Sequence, residues 1–295
     1  MKKFFRCFII LLLLNNSAQK EYHLVTSNGH PSETPYFTFS SKFKEQCISI
    51  CGTTRKCYSY TIKEITDTDQ YECQFYDIQT WQSLDASTGV KYYFINAKDC
   101  KDWYTLGARG SGVYKINWRG YFKDVRCNME IEGGGWIVFQ RRFKPLALNF
   151  QRNWESYKSG FGDLHQEFWL GNEFVHEMTS SGNHYILVYG KKDNGETEIS
   201  KYGSFYIENE SGNYAIHFNT NLLAGVHSFY TSTGYANTVG QPFLTMESGS
   251  VCVNDHGPSW FKACAFICPN KSQWIRWSQF SNAGLQEIQM MFKAK

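Results

Sequence analysis

The sequence predicts an α+β fold built from two disulfide-containing domains. Its 24 glycines and 17% aromatic residues, without a long apolar helical periodicity, favour turns and short strands around large core side chains. The cysteines fall into two clusters, Cys47 to Cys73 and Cys100 to Cys268, with a boundary near residues 96–99. Two separate disulfide frameworks are therefore expected.

Residues 1–18 are predicted to be a secretory signal peptide. Three cationic side chains precede an apolar run from Cys7 to Leu14, and small residues follow up to Ala18. A membrane-spanning helix would need about 20 apolar residues, and no segment of the sequence reaches that length. We therefore expect cleavage near Ala18, and a mature protein that is soluble, extracellular and without a membrane span.

The mature chain is predicted to carry no net charge. The full sequence has 30 basic and 27 acidic residues, and the signal peptide holds three of the basic ones, so 27 of each remain. A nucleic-acid-binding protein needs a basic surface to neutralise phosphates. The charge balance therefore argues against a nucleic-acid partner.

Nine of the ten cysteines remain in the mature chain, because Cys7 lies in the signal peptide. In an oxidising extracellular compartment they are expected to form disulfides rather than metal sites. Since nine is an odd number, at least one thiol is free or pairs between chains.

The first cluster predicts a helix joined to a sheet by two disulfides. Four residues are spaced as on one helical face: Phe43, Cys47, Ile50 and Cys51. After a turn, side chains alternate as on two strands: Tyr58, Tyr60 and Ile62, then Tyr71, Cys73 and Phe75. We expect Cys51 to close a tight loop with Cys57, and Cys47 to reach Cys73.

This first arrangement, "CISICGTTRKCYSYTIKE…YECQFYD", resembles the core of PAN/apple domains over roughly residues 30–97. The outer cysteine pair that many apple domains add is missing. An unrelated small disulfide domain is the alternative. On this resemblance we place a PAN/apple-like domain at residues 19–98.

The second part of the chain resembles fibrinogen-related domains. The motifs are "CKDWYTLGARGSGVYKIN", "VRCNMEIEGGGWIVFQRR" and "NFQRNWESYKSGFGDLHQEFWLGN", in that order. Such domains occur in fibrinogen chains, ficolins, angiopoietins, tenascins and tachylectins. The resemblance covers residues 99–295 and implies a central antiparallel sheet followed by a loop-rich C-terminal subdomain.

The same resemblance implies several structural roles. Cys100 and Cys127 are expected to form the first family disulfide, which would stabilise the fold by about 3 kcal/mol in the loop-entropy picture. The run Gly133 to Gly135 suits backbone conformations that a Cβ would forbid. Three tryptophans are candidate core residues: Trp136, Trp154 and Trp169.

Signatures of catalysis are absent from the sequence. The segment "HEMTS" begins at His176 like a zinc-protease helix, but Ser180 stands where the second histidine ligand is needed. The sequence has neither a G-x-S-x-G elbow nor a phosphate-binding loop. We therefore expect a protein that is not an enzyme.

The stretch "MESGSVCVNDHGPSWFKACAFIC" could be a metal site or a disulfide frame. Cys252, His256, Cys264 and Cys268 have plausible zinc-ligand spacing. Secretion argues against zinc, because an oxidising compartment pairs the thiols that zinc would need as thiolates. We expect no metal here.

By resemblance, Cys252 and "SWFKAC" correspond to the second disulfide of fibrinogen-related domains. Cys252 is then paired with Cys264, and Cys268 is the unpaired or intermolecular thiol. Pairing of Cys268 with Cys252 or with Cys264 stays an open alternative.

The family normally carries a calcium loop just before this disulfide. Calcium prefers six to eight hard oxygen ligands. Here the corresponding segment is "FLTMESGSVC", whose sole carboxylate is Glu247. Too few ligands remain, so we expect that the calcium site is lost and that no cofactor binds.

Lectin-like relatives bind ligands beside the second disulfide, where a cis peptide bond turns the backbone. By resemblance that bond would be Ala263–Cys264, although Ala265 replaces a common histidine. The predicted ligand-binding residues are Trp260, Phe261, Ala263, Cys264, Phe266 and Trp274. Aromatic walls suit sugar faces and protein partners alike. Alternatively the rings fill the C-terminal core, above all Trp274 and Trp277.

Two sequons, at Asn209 and Asn270, are candidate glycosylation sites in a secreted protein. A glycan on Asn270 would crowd the rim of the predicted pocket, because this residue lies two positions beyond Cys268.

Together these features predict a secreted, non-catalytic recognition protein. The resemblance implies lectin-like binding of glycans or acetylated surface groups in innate immunity. The alternative is an extracellular adhesion or signalling ligand of the angiopoietin or tenascin type, which binds a protein receptor through its fibrinogen-like domain. A structural or assembly component is a third possibility. Cys268 or the apple-like domain could mediate homo-oligomer formation.

Overall fold

The computed structural model describes residues 20–77, 83–225, 238–261, 267–271, 273–277, 280 and 284–295. The predicted signal peptide lies outside these residues. The chain divides into two compact units, one of residues 1–109 and 114–124 and the other of residues 110–113 and 125–295. The domain boundary predicted between residues 98 and 99 stays a prediction.

The first unit contains a five-stranded antiparallel sheet in the order β1-β7-β4-β5-β3. Its elements are β1 (Tyr22–Thr26), β2 (Gly29–Pro31), β3 (Phe37–Ser41), α1 (Lys44–Thr53), β4 (Ser59–Ile65), β5 (Gln70–Tyr76), β6 (Leu84–Ala86) and β7 (Val90–Ile95). The short strands β2 and β6 pair with each other. The helix α2 (Cys100–Thr105) also belongs to this unit.

Two disulfides join α1 to its surroundings in the core of the first unit. They link Cys47 to Cys73 and Cys51 to Cys57, and all four residues are fully buried. Phe43 does not share the buried face expected from its spacing. It precedes the first helical turn as the N-cap residue, and it is 62% exposed.

Lys20 links the start of the described chain to the end of α1. Its ammonium group donates to the carbonyl oxygens of Thr54 at 2.6 Å and Cys57 at 2.9 Å. Carbonyls beyond a helix C-terminus lack intrahelical donors and carry partial negative charge, so a cation there is favourable. Burial lowers the pKa of Lys20 to about 8.

The second unit contains antiparallel strands in the order β11-β12-β10-β20-β13-β14-β15. The elements that follow α2 are β8 (Gly112–Trp118), β9 (Tyr121–Asn128), β10 (Trp136–Phe143), α3 (Trp154–Ser159), β11 (Phe161–Gly162), β12 (Phe168–Trp169), α4 (Asn172–Thr179), β13 (His184–Lys191), β14 (Thr197–Ile207), β15 (Ile216–His217), β16 (Phe243–Leu244), α5 (Val251–His256), β17 (Ser259–Trp260), β18 (Ile267–Cys268), β19 (Arg276–Trp277) and β20 (Glu287–Ala294). Most of β8 and the start of β9 belong to the first unit, and the last residues of β9, from Arg126 to Asn128, pair with β10 in the second.

The core of the second unit lies on the central strands β10, β20 and β13. Trp136 and Trp169 are almost fully buried, as expected from the sequence. Trp154 is different, because it is only partly buried at the start of α3. His176 in α4 has a structural contact, with its Nδ1 2.8 Å from the carbonyl oxygen of Ile207.

Candidate functional site

The predicted ligand pocket falls in the part of the second unit that follows β15. This part contains two short antiparallel pairs, β16 with β17 and β18 with β19, and α5 lies between β16 and β17 in sequence. Ala263, Cys264 and Phe266 lie outside the described residues, as do the predicted cis bond and the side chain of Cys268.

Trp260 lies in the core and does not form an open pocket wall. Its side chain is 2% exposed, and its indole Nε1 donates to the carbonyl oxygen of Tyr214 at 2.8 Å. Its ring lies 4.9 Å from that of Phe243 and 6.0 Å from that of Trp169. A ring enclosed in this way cannot stack on a sugar, so the ligand-binding role predicted for Trp260 does not fit the structure.

Phe261 is also buried, with 8% of its surface exposed, and its ring lies 6.2 Å from that of His256. Because its ring is buried, Phe261 does not fit the predicted role in an open pocket wall either. Burial is the main cause that lowers the pKa of His256, while Asp255 acts in the opposite direction. Trp274 is partly buried and has the Arg276 guanidinium 5.7 Å from its ring centre.

Three further cysteines, Cys100, Cys127 and Cys252, are disulfide-bonded. The pairing of Cys252 with Cys264 stays a prediction, because Cys264 is not among the described residues. The loop carboxylate Glu247 has a clear partner. Its Oε2 accepts from the backbone N–H of Trp154 at 2.7 Å, at the first residue of α3. A carboxylate is favourable there, because the first N–H groups of a helix lack intrahelical acceptors.

A polar surface cluster, not singled out from the sequence, surrounds the edge of Trp154. The indole Nε1 donates to Glu210 Oε1 at 3.0 Å, and Lys158 donates to Glu210 Oε2 at 2.6 Å. The ring of Trp154 stacks on Tyr214 at 5.5 Å. The hydrogen bond from Lys158 is the main cause that lowers the pKa of Glu210, followed by the bond from Trp154.

Asn270 is a buried structural residue and not an accessible glycosylation site. Its side chain is 1% exposed, its Nδ2 donates to Pro258 O at 2.8 Å, and its Oδ1 accepts from Gln140 Nε2. Its carbonyl oxygen accepts from Gln151 Nε2. A glycan on Nδ2 would displace these contacts, so the predicted glycan at Asn270 does not fit the fold.

The exposed residue Asn209 suits a glycan better. Its Oδ1 accepts from Gly212 N and from Ser211 Oγ. The sequon therefore lies in a short turn at the surface. We expect occupancy at Asn209 and none at Asn270. Peptide mass spectrometry of the secreted protein, after glycosidase treatment in H₂¹⁸O, would detect the label at each asparagine. A labelled Asn270 in folded protein would contradict the burial argument.

Comparisons with known proteins agree with the fold. Residues 96–293 match the family described as fibrinogen beta and gamma chains, C-terminal globular domain. Human angiopoietin-2 is 30% identical over 240 residues, which are 73% of this chain and 47% of that protein. Human fibroleukin is 40% identical over 131 residues, or 43% of this chain and 30% of that protein. The chain thus spans less than half the length of these relatives.

Solved structures give the same result. The fibrinogen-like globe domain of human ANGPTL6 superposes with a TM-score of 0.61 at 28% identity, over 68% of this chain and 96% of that one. Lamprey fibrin D-dimer, in complex with the peptide Gly-His-Arg-Pro-amide, gives 0.58 at 25% identity, over 67% and 73%.

Neither the family match nor these structures address the PAN/apple-like resemblance, which stays a prediction. Within the described ranges, no helix has the length and apolar character needed to cross a bilayer. The order of strands in the second unit, its buried tryptophans and the match over two thirds of the sequence lead to one conclusion: the chain belongs to the fibrinogen C-terminal domain family.

Proposed function

We propose that this protein acts outside the cell as a non-catalytic ligand of a protein receptor, and that its fibrinogen-like unit makes the contact. The observation that carries this proposal is the burial of Trp260. A glycan-binding wall that includes Trp260 would need that aromatic face to be open. Because the ring is part of the core, the lectin hypothesis loses one of its predicted residues.

The relatives support the same choice. The receptor-ligand alternative is of the angiopoietin type, and human angiopoietin-2 is among the matching proteins. The lamprey fibrin structure holds a short peptide, so a protein of this fold can bind a peptide segment. Glycan binding and innate immunity have no such support.

Val251 is our candidate contact residue on this unit. It begins α5, next to the disulfide-bonded Cys252, and is 66% exposed. When a partner covers an exposed apolar side chain, that side chain is removed from water, which favours binding. An exposed position also tolerates a polar substitution without loss of core packing.

The test is binding of the labelled secreted protein to responsive cells. We expect brief protease treatment of the cells to abolish binding, and N-acetylglucosamine or acetylated albumin to leave it unchanged. Val251→Asp should weaken binding about 10-fold, equivalent to about 1.4 kcal/mol, whereas Leu223→Asp at another exposed apolar site should not. Binding that resists protease and is inhibited by the acetylated competitors would overturn the proposal in favour of a lectin.

A further inference from the structure

We propose that a cleft in the fibrinogen-like unit binds a bulky apolar side chain that is followed by a basic residue in a partner protein. The cleft has a volume of about 580 Å³ and lies between the loop after β10 and the hairpin β11–β12. Volumes of this size are typical of ligand pockets. The inference deepens the proposed receptor binding by naming a chemistry for the contact.

The loop wall of the cleft is held in place by a buried carboxylate. Glu167 Oε2 accepts from the backbone N–H groups of Ala147 and Leu148, each at 2.8 Å. The Glu167 side chain is 4% exposed, and its Oε1 lies 3.5 Å from the Arg142 guanidinium. Hydrogen bonds to a charged group are stronger than neutral ones, so this wall is formed before a ligand arrives.

The hairpin wall is held by Arg141. Its Nη1 donates to the carbonyl oxygens of His165 at 3.3 Å and Gln166 at 3.2 Å. Its guanidinium also lies 4.5 Å over the ring of Phe143, which lines the cleft. Two arginines near the end of β10 thus hold the walls: Arg142 through Glu167 on the loop side, and Arg141 on the hairpin side. Preorganisation of this kind reduces the entropy lost on binding.

The two walls approach each other at Gly162, which lines the cleft. This residue has φ +94°, and a Cβ there would lie 2.3 Å from the Glu167 carbonyl oxygen and 2.7 Å from Leu148 Cδ2. Only glycine permits so close an approach. Glycine at this position therefore allows the two walls of the cleft to approach each other.

The lining is apolar on its inner side and polar at its rim. Phe143, Pro145 and Leu148 supply the apolar surface, while Asp163 and Gln166 lie exposed at the rim. The buried Glu167 is already balanced by Arg142, so its charge is not available to a ligand. Asp163 is the carboxylate that a ligand can reach.

This combination selects one kind of occupant. An apolar side chain fills the inner surface, and a neighbouring arginine or lysine complements Asp163. A sugar would leave the apolar inner surface unsatisfied, and an acidic segment would bring no cation to Asp163. A basic, apolar segment of a protein therefore fits the cleft best.

The experiment titrates three peptide probes into the full secreted chain and follows binding by saturation-transfer NMR. The probes are acetyl-Phe-Arg-amide, acetyl-Phe-Glu-amide and acetyl-Ser-Arg-amide. We expect acetyl-Phe-Arg-amide to bind about 10-fold more tightly than the serine probe, and about 5-fold more tightly than the glutamate probe.

Variants locate the binding in the cleft. Ala147→Trp and Gln166→Trp fill it from opposite walls at exposed positions, and each should abolish binding. Asp163→Asn should remove the preference for arginine over glutamate, since the amide keeps the oxygen that accepts from His165 N. Ala86→Trp, at an exposed position in β6 of the other unit, should bind like the unmodified protein.

Equal binding of the arginine and glutamate probes, or binding that survives both tryptophan variants, would overturn the inference. An absence of probe binding, together with protease-sensitive cell binding, would overturn the cleft but keep the receptor proposal. Probe binding at the cleft, together with cell binding that acetylated albumin inhibits, would overturn the receptor proposal alone.

Discussion

Replacement of Arg142 with methionine is expected to destabilise the fibrinogen-like unit by about 3–5 kcal/mol. Arg142 is fully buried, and its Nη1 donates to the carbonyl oxygens of Pro269 and Lys271. Its guanidinium also lies 3.5 Å from the buried carboxylate of Glu167. Without the arginine, a buried carboxylate loses its counter-charge and two buried carbonyl groups lose their donor.

The protonation behaviour of Arg142 agrees with this role. Burial is the main cause that lowers its pKa, while the Glu167 carboxylate raises it. Burial and the Glu167 carboxylate thus act on this guanidinium in opposite directions. Methionine has a similar length and no charge, so it keeps most of the packing against Phe150, whose ring lies 4.4 Å from the guanidinium.

Urea unfolding followed by tryptophan fluorescence would measure the change. The matched control is Lys144→Met, because Lys144 pairs with Asp193 at the surface and such a pair contributes at most about 1 kcal/mol. The double variant Arg142→Met/Glu167→Gln should regain part of the stability, since it removes the uncompensated charge. A loss for Arg142→Met no larger than that of the control would refute the argument.

The sequence predicted the family but not this buried pair. The motif "GGGWIVFQRR" identifies the strand, yet it contains two adjacent arginines with different fates. Arg142 is fully buried, whereas Arg141 keeps some exposure and pairs with Glu287. The partner of Arg142, Glu167, lies 25 residues further along the chain, and the partner of Arg141, Glu287, lies 146 residues further. The local sequence therefore does not indicate which of the two arginines is buried.

The same limit applies to Trp260, which was predicted to line a pocket and is buried. Tryptophan has a large apolar surface and one N–H donor, so an aromatic wall and a core position are equally compatible with its sequence pattern. The acceptor that holds Trp260 in the core is the carbonyl oxygen of Tyr214, in a separate segment. For Asn270, the sequon specifies three residues and does not report burial.

Local spacing was more informative in the first unit. The helical spacing of Cys47 and Cys51 predicted that both would face the same way, and both are buried on α1. Phe43 obeys the same spacing but precedes the first helical residue, so its direction is not that of the helical face. Periodicity is reliable within an element and fails at its ends.

Replacement of Gly257 with alanine is expected to destabilise the second unit by about 2–4 kcal/mol, through strain and steric conflict. Gly257 follows α5 with φ +81° and ψ 167°, a region that side-chain-bearing residues rarely adopt. A Cβ there would lie 2.5 Å from the Asn270 carbonyl oxygen and 2.8 Å from the Lys271 backbone nitrogen. Both neighbours are backbone atoms, so neither can rotate away.

The conflict should spread, because Asn270 cannot move without breaking its bonds to Gln140 and Pro258. Gly249→Ala is the matched control: it also has positive φ, +64°, but a Cβ there would meet nothing within 4 Å. The control should lose only about 1 kcal/mol, the ordinary penalty of a left-handed alanine. The melting temperature of a domain of this size shifts by about 2–4 °C per kcal/mol, so calorimetry would distinguish the two variants. Equal shifts would mean that the fold yields around Asn270, and that this residue does not hold the turn in place.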